Sequence, residues 1–454
     1  MASRTHDNFL RSHNARHVWH PMAHPAEMEA NPPRIIVSGE GVHVTDIDGR
    51  RLLDAVGGLW NVNLGYSCEP IKRAMAAQLE TLPYYSAFRG TTHPGVIDLS
   101  HRLVEMTAPE DMARVFFTSG GSDSVETALR LARQYWKLEG QRDRTKFIAL
   151  TRGYHGTHFG GASVNGNANF RRQYEPLMPG VFHIPAPWTY RNPFDERDPE
   201  RLAEICARLL DEQIAFQGPD TVAAFIAEPV MGSGGVIVPP ASFWPRVREV
   251  CDRHGVLLIA DEVVTAFGRT GSLFGCRGWG VAPDFICVAK AITSGYFPLG
   301  ATLINRRVAD AFSANRDGRG QIGHGYTYSG HPVGCAAAMA ALDATLEQDL
   351  PGRAKAEGAH FNAHLAALAE QDPAIGEARG LGLMAALELV SDKQSRTPAG
   401  KAFVQKVAEL AYERDVLIRT SSNLIILSPP LVIAREEIDR IVDVLGEAVR
   451  LARG

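Results

Sequence analysis

What most constrains the fold of this chain is a set of six short apolar runs that alternate with amphipathic helical patterns from about residue 70 onward. They are 114–117 (RVFF), 147–150 (FIAL), 221–227 (TVAAFIA), 256–260 (VLLIA), 285–289 (FICVA) and 301–304 (ATLI). Such runs are strand-sized, and a continuously apolar strand is one buried on both faces. Helical patterns at 122–138 and 199–210 lie between them. Strand–helix alternation of this kind predicts an α/β fold with a mainly parallel, doubly wound sheet, here over residues 70–330. At 454 residues the chain is long enough for two or three lobes. Residues 1–69 end in alternating apolar positions around Asp48-Gly49 that read as a small hairpin. Residues 331–454 open with an Ala-rich helix at 333–348 and continue as helices with three strands. The two terminal regions are expected to form a smaller α+β domain. The stretches 164–200 and 312–332 are rich in Gly, Pro, Asn and Arg and read as long loops, which in compact enzymes are often functional.

Composition removes several classes of function. The chain carries 47 basic and 51 acidic residues, a formal charge of −4, with no long run of either sign, so nothing provides a footprint for nucleic acid. The six cysteines are scattered without a CxxC pair and read as reduced thiols. Residues 1–33 lack the apolar core of a secretion signal, and no stretch reaches the ~18 apolar residues of a membrane span. A cytoplasmic enzyme of small-molecule chemistry is the expectation. Sixteen histidines occur without HExxH or a tight Cys/His cluster, so no metal site is expected.

The polar residues of interest follow the apolar runs, where an open parallel sheet places its ligand crevice. In FFTSGGSDSVETALRLAR a strand opens through Gly120-Gly121-Ser122 into a helix. Backbone amides and the helix dipole there favour an anion such as phosphate, although Ser122 fits an ordinary N-cap equally well. In GVLLIADEVVTAFGRTG, Asp261 and Glu262 come directly after five apolar residues, so at least one carboxylate lies at a buried strand end. An acidic pair after a strand also fits the magnesium arm of a P-loop hydrolase, but the matching GxxxxGKS/T is missing. In DFICVAKAITSGYFPLGA, Lys290 ends the run 285–289. Desolvation there lowers the pKa of an amine and makes it a nucleophile and Schiff-base former; a lysine reaching out to a carboxylate is the plainer reading. Asp261 precedes Lys290 by 29 residues, about one strand-to-strand crossover. A phosphate cradle, a lysine for an aldehyde and a carboxylate for a ring nitrogen together match the needs of pyridoxal phosphate.

At these residues the chain resembles the class III (ω-type) aminotransferases among fold-type I pyridoxal-phosphate enzymes. The resemblance runs essentially end to end, through LLDAVGGLWNVNLGY, GYHG, AFIAEPVMGSGGVIVPP, GYTYSGHPVGCAAA and RGLGLM as well as the motifs above. It implies that Lys290 carries the cofactor and shuttles the proton, and that Asp261 pairs with the pyridinium nitrogen. Gly121 and Ser122 correspond to the phosphate turn. Tyr154 and Val263 correspond to the contacts on the two ring faces, and Glu228 to a glutamate near the site. Thr327 corresponds to a threonine that reaches the phosphate from the neighbouring subunit, which implies a homodimer, alone or paired into tetramers, with shared active sites.

Within the family the chain looks closest to the amine or ω-amino acid:pyruvate enzymes. Trp60 in LWNVNLGY and Phe88 in FRGTTHPG correspond to aromatic walls of the substrate pocket, and Arg419 in VLIRTSSNLIILSPPL to an arginine that grips a substrate carboxylate. The implied reaction is ping-pong: an amine or ω-amino acid leaves its amino group on the cofactor as pyridoxamine phosphate, and an α-keto acid, pyruvate, collects it. An aminomutase, a racemase or a decarboxylating aminotransferase shares the same constellation and stays open as an alternative.

Overall fold

The computed structural model describes residues 2–454, with side chains from residue 6. A short N-terminal meander comes first: β1 (Ile36–Glu40), β2 (His43–Asp46) and β3 (Arg51–Asp54), with the expected turn at Asp48-Gly49 between β2 and β3. The central sheet has seven strands: β4 (Met112–Thr118), β5 (Lys146–Leu150), β6 (Val181–Ile184), β7 (Val222–Ala227), β8 (Leu257–Asp261), β9 (Phe285–Val288) and β10 (Gly300–Asn305), in spatial order β4-β10-β9-β8-β7-β5-β6. All six apolar runs lie in these strands to within a residue. Only β10 runs against its neighbours, so β4, β5, β7, β8 and β9 end at the same edge. The chemistry gathers there.

Both faces of the sheet are covered, which is why these strands tolerate no polar alternation. Ile259 and Cys287 pack under Leu129 and Ala132 of the helix Gly121–Leu138. On the opposite face Ala260, Ile286 and Val288 meet Leu99, Leu103, Ala338 and Leu342. The long helix Pro332–Glu347 faces two ways: Ala338 and Leu342 lie against the central sheet, while Ala337, Ala341 and Ala344 belong to a separate C-terminal core. Small side chains all along this helix allow both approaches.

The C-terminal core contains more strands than the three expected: β11 (Ile375–Leu381), β12 (Met384–Asp392), β13 (Thr397–Pro398), β14 (Val416–Leu417), β15 (Arg419–Ser421) and β16 (Leu424–Leu427). Three of these span only two or three residues, too short for a periodic signal. β14 pairs in parallel with β3, and Val42, Leu53 and Ala55 share one core with Leu387, Ile425 and Leu445. The edge strand β6 and the helix Phe159–Val164 were also missed; β6 falls in the stretch read as loop, and as a half-exposed edge of four residues it lacks a buried apolar run. Among the described residues no helix is long and apolar enough to cross a membrane.

One contact fixes the helix Leu350–Gln371 against the turn between β11 and β12. A methyl group on Gly358 would stand 2.3 Å from the carbonyl carbon of Gly382. Gly358→Ala is therefore expected to destabilise the protein by about 1–3 kcal/mol, seen as a lowered Tm; an unchanged Tm would refute this close packing.

Candidate active site

The carboxyl ends of the central strands surround a cavity of about 390 Å³. From β8 comes Asp261, followed by Val263; from the turn after β9 comes Lys290; from the end of β7 comes Glu228. The loop after β5 supplies Tyr154, and the first turn of the helix after β4 supplies Gly121 and Ser122. Trp60 enters from the N-terminal region and Arg419 from β15. A larger cleft of about 620 Å³ lies elsewhere, lined by Arg191, Arg197 and Arg396, but it holds none of the residues singled out from sequence.

Asp261 is 4% exposed. Its Oδ2 accepts a hydrogen bond from Nδ1 of buried His155 at 2.8 Å, and its Oδ1 accepts from the Val263 amide at 3.1 Å. Glu262, next in sequence, points away from the cavity and accepts from the amides of Gly275 and Cys276 at 2.8 and 2.7 Å. Of the acidic pair, one carboxylate serves the cavity and the other ties down a loop. His155 was not foreseen. It stands beside Tyr154 in GYHG, and a lone loop histidine has no periodic signal; its backbone amide is held by Asn165 Oδ1 at 2.5 Å.

Lys290 begins a one-turn helix with φ = 49°, left-handed for a side-chain-bearing residue and a costly conformation that the surroundings must enforce. Burial pushes its pKa down; Asp261 and Glu228 pull it back up, and Arg419 adds to the lowering. Glu228 accepts from the amides of Tyr154 and Gly232, both at 2.9 Å. Burial is the larger influence, reinforced by Asp261 and opposed by His155, and it raises the Glu228 carboxyl to about 7.

Gly121 is required by its neighbour, since a methyl group there would stand 2.8 Å from Cγ1 of Val263. The helix it opens has Gly120 at its N-cap and no side-chain cap, so amides of the first turn are left for an anion beside the Ser122 hydroxyl. Ser122 Oγ accepts from the Thr157 amide at 3.2 Å. The Tyr154 ring packs edge-on against Phe170 at 4.9 Å. Phe170, Met22 and Ser233 also line the cavity. Phe170 ends a single 3-10 turn and Met22 lies in a turn, both too short for a pattern to mark. Burial lowers the Arg419 pKa, and among the described residues no hydrogen bond or ion pair occupies its guanidinium.

Two expected residues stay outside. Phe88 is 48% exposed with its ring against Gly325, and Thr327 is exposed, its carbonyl accepting from Tyr84 Oη at 2.8 Å. Neither lines the cavity of the single chain.

A nucleophilic amine, a buried carboxylate held by two donors and an uncapped helix N-terminus call for a partner that is an aldehyde, a basic ring and an anion at once. Pyridoxal phosphate fits that donor set, and the architecture is that of the fold-type I enzymes that depend on it. Residues 25–449 match the family model of the class-III aminotransferases. The chain belongs to this family and is a transaminase. It is 38% identical over 423 residues to the putrescine–pyruvate aminotransferase of Pseudomonas aeruginosa, covering 93% of this chain and 91% of that one. It is 37% identical over 448 residues to the adenosylmethionine-8-amino-7-oxononanoate aminotransferase of Geobacter sulfurreducens, covering 98% of each. The crystal structure of a pyridoxal phosphate-bound amine transaminase from an uncultivated Pseudomonas species superimposes with a TM-score of 0.95 at 53% identity, over 96% of this chain and 99% of that one.

The raised Glu228 pKa has a thermodynamic consequence. Between its ordinary value of 4.5 and its folded value of about 7, the native state holds a proton that the unfolded state has lost, so stability falls as pH rises through this window. The full effect is on the order of 3–4 kcal/mol. Glu228→Gln removes the titration, and melting of the cofactor-free variant is expected to depend less on pH from 4.5 to 7 than that of the parent. Parallel pH curves would show that Glu228 is already ionised across the window.

Proposed function

We propose that this transaminase moves an amino group from an amine or ω-amino acid to an α-keto acid, with pyruvate as acceptor, in a ping-pong cycle. The observation that carries this reading is Arg419: a guanidinium that has no carboxylate partner among the described residues and lines the same cavity as Lys290 and Trp60. Such a cavity can receive an uncharged amine against an aromatic wall and, in the other half-cycle, a carboxylate on the planar guanidinium fork. Two relatives support it, one named for putrescine and pyruvate and the other for amines.

When bound, pyridoxal phosphate supplies an aldehyde to capture the amine and a protonated ring to accept electron density. Lys290 would be its attachment point, and its Nζ, when free, would be the base that takes up and returns the proton moved during amino transfer. Burial lowers the pKa of that amine and so favours the neutral form both tasks use. Asp261, itself aimed by His155 and the Val263 amide, would pair with the ring nitrogen. Gly121 and Ser122 would hold the phosphate, and Tyr154 and Val263 would contact the ring. Glu228, which fixes the Tyr154 amide, sets the position of that wall.

Thr327 and Phe88 act in this reading from a second copy of the chain, completing its site in a cytoplasmic homodimer. Their exposure, and the Tyr84 bond that ties the Thr327 segment to the stretch preceding Phe88, support the assignment.

Three measurements test the proposal. Pyruvate-dependent ketone or aldehyde formation from a panel of amines and ω-amino acids is expected; no keto-acid-dependent product from any of them would refute it. Lys290→Ala should lower kcat by about 10³-fold or more and abolish covalent retention of the cofactor. Arg419→Ala should raise the KM for pyruvate by roughly tenfold to a hundredfold, the loss expected for one charged hydrogen-bonding partner, while the half-reaction with an uncharged amine changes little. An equal effect on both halves would remove Arg419 from carboxylate recognition.

A further inference from the structure

We propose that His360, His364 and Asp439 form a site for a borderline-soft divalent metal ion, zinc or nickel in character, that clamps two helices of the C-terminal core outside the active-site cavity. It departs from the expectation of no metal site, which rested on the absence of HExxH and of a tight Cys/His cluster. His360 and His364 keep that motif's four-residue spacing without its glutamate, and the third residue lies 75 positions further on.

Four-residue spacing puts both imidazoles on one face of the helix Leu350–Gln371, with ring centroids 4.1 Å apart. Asp439, in the second turn of the helix Arg435–Arg453, brings Oδ1 to 2.6 Å from His360 Nε2. One potential ligand atom from each residue lies within 4.8 Å of the other two. The tautomer of His364 is set by its surroundings: Nδ1 lies 2.9 Å from the backbone carbonyl of His360, which can only accept. The proton therefore sits on Nδ1, leaving Nε2 to ligate. A metal-binding imidazole typically donates its other ring N–H to a carbonyl or carboxylate in this way.

An ordinary ion pair explains His360 and Asp439 but not the company of His364, which is exposed and belongs to no such pair. A single ion would need the three atoms at about 2.0–2.2 Å, and the side chains of His360 and Asp439, 21% and 47% exposed, have room to adjust. The nearby cation Arg435 is taken up by Glu357 through two bonds of 3.0 and 2.9 Å, which limits its repulsion of a metal. Two imidazoles and a carboxylate suit zinc, nickel or copper over magnesium or calcium, and three protein ligands leave a position for water. No general base stands in the place of the HExxH glutamate, where this chain has Phe361. The site's role is therefore to tie the helices together, not to hydrolyse.

The test is equilibrium binding of zinc chloride to the holoenzyme, with metal content and Tm both measured. The parent protein is expected to bind one more equivalent of zinc per chain than either His364→Ala or Asp439→Asn, and zinc should raise its Tm more than theirs. Comparing differences cancels zinc held elsewhere, for instance by the histidines near the N-terminus. An affinity loss of at least about tenfold in both variants supports the site; unchanged stoichiometry and unchanged zinc-dependent Tm in either one overturns it.

Discussion

Three ionisable groups, Lys290, Asp261 and Glu228, meet at the dry carboxyl edge of the central sheet, and the rest of the site is arranged around keeping them there. Withdrawal from water acts in opposite directions on the amine and the carboxyl: it lowers Lys290 and raises Glu228 to about 7. Both shifts reduce the charge that has to be buried. Asp261 meets burial differently, through a ring donor and an amide donor that occupy one oxygen each. The parallel topology makes this gathering possible, since β7, β8 and β9 deliver their C-terminal residues to one edge. The left-handed backbone of Lys290 turns the chain as β9 ends, and its side chain lines the cavity from that turn.

Much of this was legible because burial and chemistry coincide in the sequence. Asp261 and Lys290 directly terminate apolar runs, and a charged residue in that position is conspicuous by contrast with what precedes it. Glu228 follows β7 in the same way. His155 has no such contrast: it lies in a loop among other polar residues, and its importance appears only when β5 and β8 are brought within reach of each other. The same holds for His360, His364 and Asp439, where the helical spacing of two residues was present in the chain but the third lies on another helix. Strands of two or three residues and the half-exposed β6 escaped for a simpler reason, being too short or too mixed for periodicity to register. Thr327 and Phe88 entered through resemblance alone, and the single chain leaves both on its surface.

The cavity also depends on segments far from the central sheet, since Trp60 precedes it in the chain and Arg419 follows it. Arg269 joins them. This side chain is fully buried and, among the described residues, meets no carboxylate; it donates to the carbonyls of Leu383 and Pro429 at 2.8 and 2.5 Å and to Asn63 Oδ1 at 2.7 Å. Burial pushes its pKa down to about 9, countered only by distant Asp54. A buried cation that meets only oxygens of carbonyl type, its Nε left without a partner among the described residues, is an expensive way to fill space, and an apolar side chain of equal volume would pack there with less desolvation. What such a residue could not do is bond three chain segments at once. Asn63 lies three residues after Trp60, and Pro429 closes the strand pair that begins with Arg419, so the guanidinium fixes the aromatic wall and the carboxylate-facing arginine relative to the loop that follows Asp261. The orientation of the pocket's two outer walls thus rests on one charge placed where hydrophobic packing alone would have let them slide.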